Sequence, residues 1–67
     1  MTLAKVIEVM AEGETMEKAL ENAVMLAAKT VQDIKSVYVE NMQGVVEKNK
    51  IVRYRVNAKV SFLVKNR

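Results

Sequence analysis

The chain contains no cysteine, histidine, proline or tryptophan, and only two glycines, two tyrosines and one phenylalanine. Without cysteine there is no disulfide and no thiolate nucleophile. Without histidine as well, the usual ligand sets of zinc and iron are missing. Gly13 and Gly44 cannot make a Gly-rich phosphate loop. What is left for catalysis is Ser36, Ser61, a few threonines, lysines and carboxylates, and no nucleophile–base pair stands out among them. The lack of proline, in a chain that is 51% hydrophobic, argues against disorder. No stretch approaches the roughly 20 consecutive apolar residues of a membrane span.

A chain of 67 residues is one small domain, residues 1–67. At this size only about 60% of the surface of the unfolded chain is buried, so stability is marginal without support. Disulfides and structural metals lack their residues here, which leaves self-association. The opening segment MTLAKVIEVMAEGE has a short apolar run broken by Lys5 and Glu8, which does not read as a signal peptide. With the missing cysteines, that sets the expectation of a cytoplasmic location.

Charge is unevenly placed. All eight acids lie in residues 1–47, and residues 48–67 hold seven basic residues and no acid. One reading is attraction between the two halves, within or between subunits. The other is an anion site for phosphate, nucleotide or nucleic acid.

Periodicity supplies four elements. Residues 3–10 read as a first strand centred on Val6, Ile7 and Val9, and Gly13 supplies the turn that follows. Residues 14–32 read as an amphipathic helix with Met16, Leu20, Ala23, Ala27 and Val31 on its apolar stripe, widened by Ala19 and Val24. Met25 falls on the opposite face. Residues 36–46 form a second strand and 47–50 a hairpin turn, with Asn49 in the left-handed region. In the run RYRVNAKVSF (53–62), Tyr54, Val56, Ala58, Val60 and Phe62 alternate with polar residues, in a strand of about 14 residues or roughly 45 Å. A turn centred between Lys48 and Asn49 pairs Val37 with Val60, Tyr38 with Lys59, Glu40 with Asn57 and Met42 with Arg55. Asn41 and Gln43 then land on the apolar face, and Gly44 is the expected site of a bulge or sharp bend there.

The order β-α-β-β gives an α+β fold, with one helix against one face of a three-stranded antiparallel sheet. The first strand is expected to pair with the last. The other face, with Ser36, Tyr38, Glu40, Met42, Arg55, Asn57 and Lys59, is left bare. Glu12 and Glu14 make the densest acidic cluster. They suit a hard cation, and equally the positive end of the helix macrodipole. A sheet that reads RNA stacks bases on aromatic side chains. Tyr54 and Phe62 point to the apolar face, and Tyr38 alone sits beside Arg55 and Lys59, which argues against nucleic acid.

Element order and lengths resemble the dodecins, over KVIEV (5–9), DIKSVYVENMQG (33–44) and the YxVxxxVxF run of Tyr54, Val56, Val60 and Phe62. The resemblance implies a sheet partly wrapped around its helix and a homo-oligomer, a hollow dodecamer. It also implies pairs of flavins, FMN or riboflavin, at subunit interfaces. In flavin-binding dodecins a tryptophan early in the second strand stacks on the flavin ring, and a glutamine in the last strand hydrogen-bonds it. Those positions are Ser36 and Arg55 here, so flavin binding is expected to be weak or lost. Tyr38 points the same way as Ser36 and offers a substitute platform. Arg55 also suits an ion pair to Glu40 of the same or a neighbouring chain. The family's Gly-Thr-Ser turn before the helix is replaced by Met10-Ala11-Glu12. Members without the tryptophan have been linked to calcium, for which Glu12, Glu14 and Glu40 are the acids to consider at symmetry axes. The expectation is a non-catalytic homo-oligomer that binds or stores a small molecule, with a cation-binding or purely structural assembly as the alternative. No nucleic-acid or membrane partner is expected.

Overall fold

A computed structural model of the chain describes residues 2–65. β1 (Thr2–Gly13) leads into α1 (Met16–Ala27), followed by β2 (Ile34–Glu47) and β3 (Lys50–Lys65). The sheet order is β1-β3-β2, and both neighbours run antiparallel to β3. β1 and β2 are therefore parallel to each other, with β3 inserted between them and α1 crossing over. Among the described residues no helix is long and apolar enough to cross a membrane.

β3 organises the rest because its alternation is clean. Val56, Ala58, Val60 and Phe62 are all buried, and the residues between them are half-buried. β1 is longer than its apolar centre suggested. Ala11, Glu12 and Gly13 continue the ladder opposite Val56, Arg55 and Tyr54. A strand partner supplies hydrogen bonds that local hydrophobicity does not announce.

Gly13 consequently does not make the turn. It has no positive φ, and the helix passes directly over it. A Cβ at Gly13 would lie 2.4 Å from the Ala19 backbone nitrogen. The chain needs glycine there for close approach of helix and strand.

α1 begins one residue after Thr15, whose hydroxyl accepts from the Lys18 amide at 3.0 Å. This satisfies one of the free donors of the first turn. The helix ends at Ala27, short of the expected 32. Backbone amides of Thr30 and Val31 both converge on the Ala27 carbonyl, which also accepts the Thr30 hydroxyl. Asp33, at φ 60, then turns the chain into β2, and its carbonyl accepts the Leu63 amide.

The buried line of α1 is Ala19, Ala23 and Ala27. Of these small side chains, four residues apart, Ala19 and Ala23 let the helix lie close to Val56 and Ala58, with Leu20 and Val37 at the margin. The apolar stripe is thus rotated from the expected one, and Met16 is 55% exposed.

The β2–β3 register begins as expected, with Val37 opposite Val60 and Tyr38 opposite Lys59. It then shifts between Val39 and Asn41, leaving Glu40 as the extra residue. The bulge therefore sits at Glu40 and not at Gly44, which stands opposite Tyr54. Glu40 loses its expected partner, and Met42 faces Val56 instead of Arg55. The physical reason is sidedness. One inserted residue moves Asn41 and Gln43 to the polar face beside Asn57 and Arg55, and turns Met42 onto the core. Further shifts occur between Ile34 and Ser36 and between Val45 and Val46. In the hairpin turn both Lys48 (φ 52) and Asn49 (φ 64) are left-handed, the pairing a two-residue type I′ turn requires.

Candidate functional site: the open face of the sheet

α1 covers one side of the sheet, and the residues in question stand on the other. The ladders set them in rows across three strands. Val6, Ser61 and Ser36 form one row, and Glu8, Lys59 and Tyr38 the next. Met10, Asn57 and Asn41 follow, then Glu12, Arg55 and Gln43. Each β3 residue in the middle is flanked on both sides, so the β3 polar positions are only half exposed.

The rows are joined by side chains. Ser36 and Ser61 hydroxyls are 2.5 Å apart, and Asn57 Nδ2 donates to Asn41 Oδ1 at 3.1 Å. Lys59 Nζ lies 3.3 Å from Glu40 Oε2, which the bulge has brought alongside. At the far end Glu12 takes two arginines, Arg53 Nε on Oε1 at 2.9 Å and Arg55 Nε and Nη2 on Oε2 at 2.7 Å. Arg53 also reaches Glu47 at 3.9 Å. The hydrogen bond from Arg55 holds the Glu12 carboxyl below the usual carboxylate range; partial desolvation opposes it, and the charges of both arginines reinforce it. Between these contacts lies a shallow depression of about 330 Å³ bordered by Glu8, Met10, Glu40 and Asn57.

The structure brings together Ser36, Tyr38 and Arg55 on this one face, each with its own neighbour. Ser36 is held by Ser61, Arg55 by Glu12, and Tyr38 stands 66% exposed opposite Lys59. The suggested Arg55–Glu40 pair does not form within the chain. Glu40 pairs with Lys59 and Arg55 with Glu12, because β1 lies beside β3 and delivers Glu12 directly opposite Arg55.

Glu12, Glu14 and Glu40 do not converge. Glu12 is neutralised by two guanidinium groups, Glu40 is engaged by Lys59, and Glu14 stands exposed between β1 and α1. Among the described residues no three carboxylates gather as a metal would require. The role of Glu12 as a clamp on Arg53 and Arg55, and those of Asn41 and Ser61, escaped the sequence reading. The one available signal was the acid-poor, arginine-rich start of β3, which demands a carboxylate from another strand.

The same architecture occurs in proteins of known structure. The Thermus thermophilus tt0972 protein is 22% identical, superposes with a TM-score of 0.89, and each chain covers 98% of the other. Two substituted forms of T. thermophilus dodecin, 22% and 23% identical, superpose with TM-scores of 0.87. They cover 98% and 97% of this chain, which covers 98% of each. At these identities the likeness is one of fold. No curated protein matches the chain. The dodecin family profile matches residues 3–65, all of the sheet and helix but one terminal residue, and the chain belongs to the dodecin family.

Proposed function

We propose that this protein is a homo-oligomeric, non-catalytic binder of a small ligand, in which flavin binding is weak or lost. The state of two positions carries this reading. Where flavin-binding dodecins present a tryptophan, Ser36 has no ring face and is hydrogen-bonded to Ser61. The stacking contribution, about 0.5–1.5 kcal/mol beyond area burial, is therefore absent. Where they present a glutamine, Arg55 is already engaged by Glu12. A guanidinium is a donor only and cannot accept from a flavin ring N–H. Tyr38 is the one aromatic side chain on this face among the described residues, and it is where a planar ligand would rest.

Self-association is supported by exposed apolar surface. Val6, Met10, Met25, Tyr38, Val46 and Ile51 are each more than half exposed, and so small a chain has few other means of burying such groups. The test combines light scattering after gel filtration with a fluorescence titration of oxidised FMN. The expected result is a mass of many chains with little quenching. Quenching at sub-micromolar protein would overturn the flavin reading, and a mass of one 7.6 kDa chain would overturn the assembly.

A further inference from the structure

The β2–β3 hairpin runs beyond the part of the sheet that β1 and α1 complete. Tyr54 is the last β3 residue paired with β1, through Gly13, and from Arg53 back to Lys50 the strand has only β2 beside it. This two-stranded ribbon carries Val46, Ile51 and Val52, 57, 56 and 41% exposed. An isolated two-stranded ribbon is marginal in water, and three β-branched apolar side chains left on it face solvent. The molecule is 54 Å long but only 18 by 14 Å across.

A second apolar surface lies between α1 and β2. The helix packs mainly on β1 and β3, which leaves a trough of about 430 Å³ formed by Leu20, Val24, Met25 and Val37, with Glu21 on its rim. The ribbon cannot reach the trough of its own chain. Val37 stands opposite Val60 and Val46 opposite Ile51, so about 30 Å of straight strand separates them at roughly 3.3 Å per residue.

Charges match the two surfaces. Lys48 and Lys50 at the ribbon tip form no ion pair among the described residues. The helix beside the trough carries Glu17 and Glu21. The latter is held by Lys18 at 3.7 Å, an exposed contact of small worth.

We propose that the ribbon tip of one copy docks, through Val46, Ile51 and its two lysines, into the α1–β2 trough of a second copy. The contact is head to tail, each copy giving its ribbon and receiving another, so its succession extends beyond a dimer. The inference rests on the self-association proposed above and specifies which surfaces produce it. The absence of native cysteine makes the test clean. Under mild oxidation, the Met25→Cys/Ile51→Cys double variant gives covalent multimers larger than dimers. Neither single variant cross-links on its own, and a mixture of the two singles gives a mixed dimer. Lys48→Glu/Lys50→Glu, on the exposed turn, lowers the assembled mass, and adding Glu17→Lys/Glu21→Lys restores it. If the unaltered protein assembles but the double variant forms no multimers and the charge variants keep full mass, the docking is overturned while self-association stands. A single-chain mass for the unaltered protein removes both.

Discussion

Arg55 lies directly across the β1–β3 ladder from Glu12, and its guanidinium is 2.7 Å from the carboxylate that Arg53 holds from the other side. Arg55 is thereby held within its own chain as part of an intrachain clamp. The clamp joins the end of β1 to the point where β3 leaves the three-stranded sheet. It also engages Nε and Nη2 of Arg55, two of the donors on this face.

The clamp has a pH signature. Glu12 titrates below its ordinary value of 4.5 in the folded chain because Arg55 and Arg53 favour the carboxylate. Its stabilising contribution is therefore complete above about that pH and is lost as pH falls through the lowered folded value. Glu12→Gln lacks the contribution at every pH. The melting temperature of the unaltered protein should exceed that of the variant at pH 7, with the gap closing in acid. Thermal melts at one protein concentration check this, and a gap unchanged at low pH would place the loss elsewhere.

Gly13 tests the closeness of helix and strand. A Cβ there meets backbone atoms of Lys18 and Ala19 at 2.7 and 2.4 Å, and backbone cannot rotate away. Gly13→Ala should destabilise by at least the ~1–3 kcal/mol typical of overpacking. At Gly44 a Cβ meets only the Ile51 side chain, at 3.4 Å. Gly44→Ala should change stability by no more than about 0.5 kcal/mol. Urea unfolding of both variants separates close approach from a general intolerance of side chains.

The fold was legible where the physics is local. Strict alternation over Tyr54–Phe62 identifies the buried face of β3, and Val37, Tyr38 and their partners fall in the register that a tight turn at Lys48–Asn49 imposes. The misfit of Asn41 and Gln43 announced a break in register, but its position at Glu40 depends on which side chains the core can take. The helix was visible, yet its end was not, since Thr30 competes for the Ala27 carbonyl only once the chain must turn toward β2. The clamp lay furthest from reach. Glu12 and Arg55 are separated by a helix and a hairpin, and only the β1–β3 register brings them together.

Thr15 is the start signal of α1. Its hydroxyl accepts from the Lys18 amide, and the side chain is exposed, so removal leaves no cavity. Thr15→Ala should cost about 1 kcal/mol, and Thr15→Ser should recover most of it. Chemical denaturation of the two variants tests whether the cap sits here, despite the acids at 12, 14 and 17 that crowd the same turn.

Placing at positions 36 and 55 the tryptophan and glutamine that the dodecin resemblance implies is the sharpest test of the proposed ligand face. Ser36→Trp supplies the missing ring beside Tyr38, and Arg55→Gln removes a pure donor while leaving Glu12 its contact with Arg53. Stacking alone, at about 0.5–1.5 kcal/mol, corresponds to roughly 2- to 12-fold tighter binding. The double variant should therefore quench FMN fluorescence at lower protein concentration than the unaltered chain, with Ser36→Trp alone giving the larger share. If neither variant gains affinity while both keep the assembled mass, residues 36 and 55 do not face a flavin-sized site. The weak flavin binding proposed above would then trace to the shape of the interface, not to the two side chains.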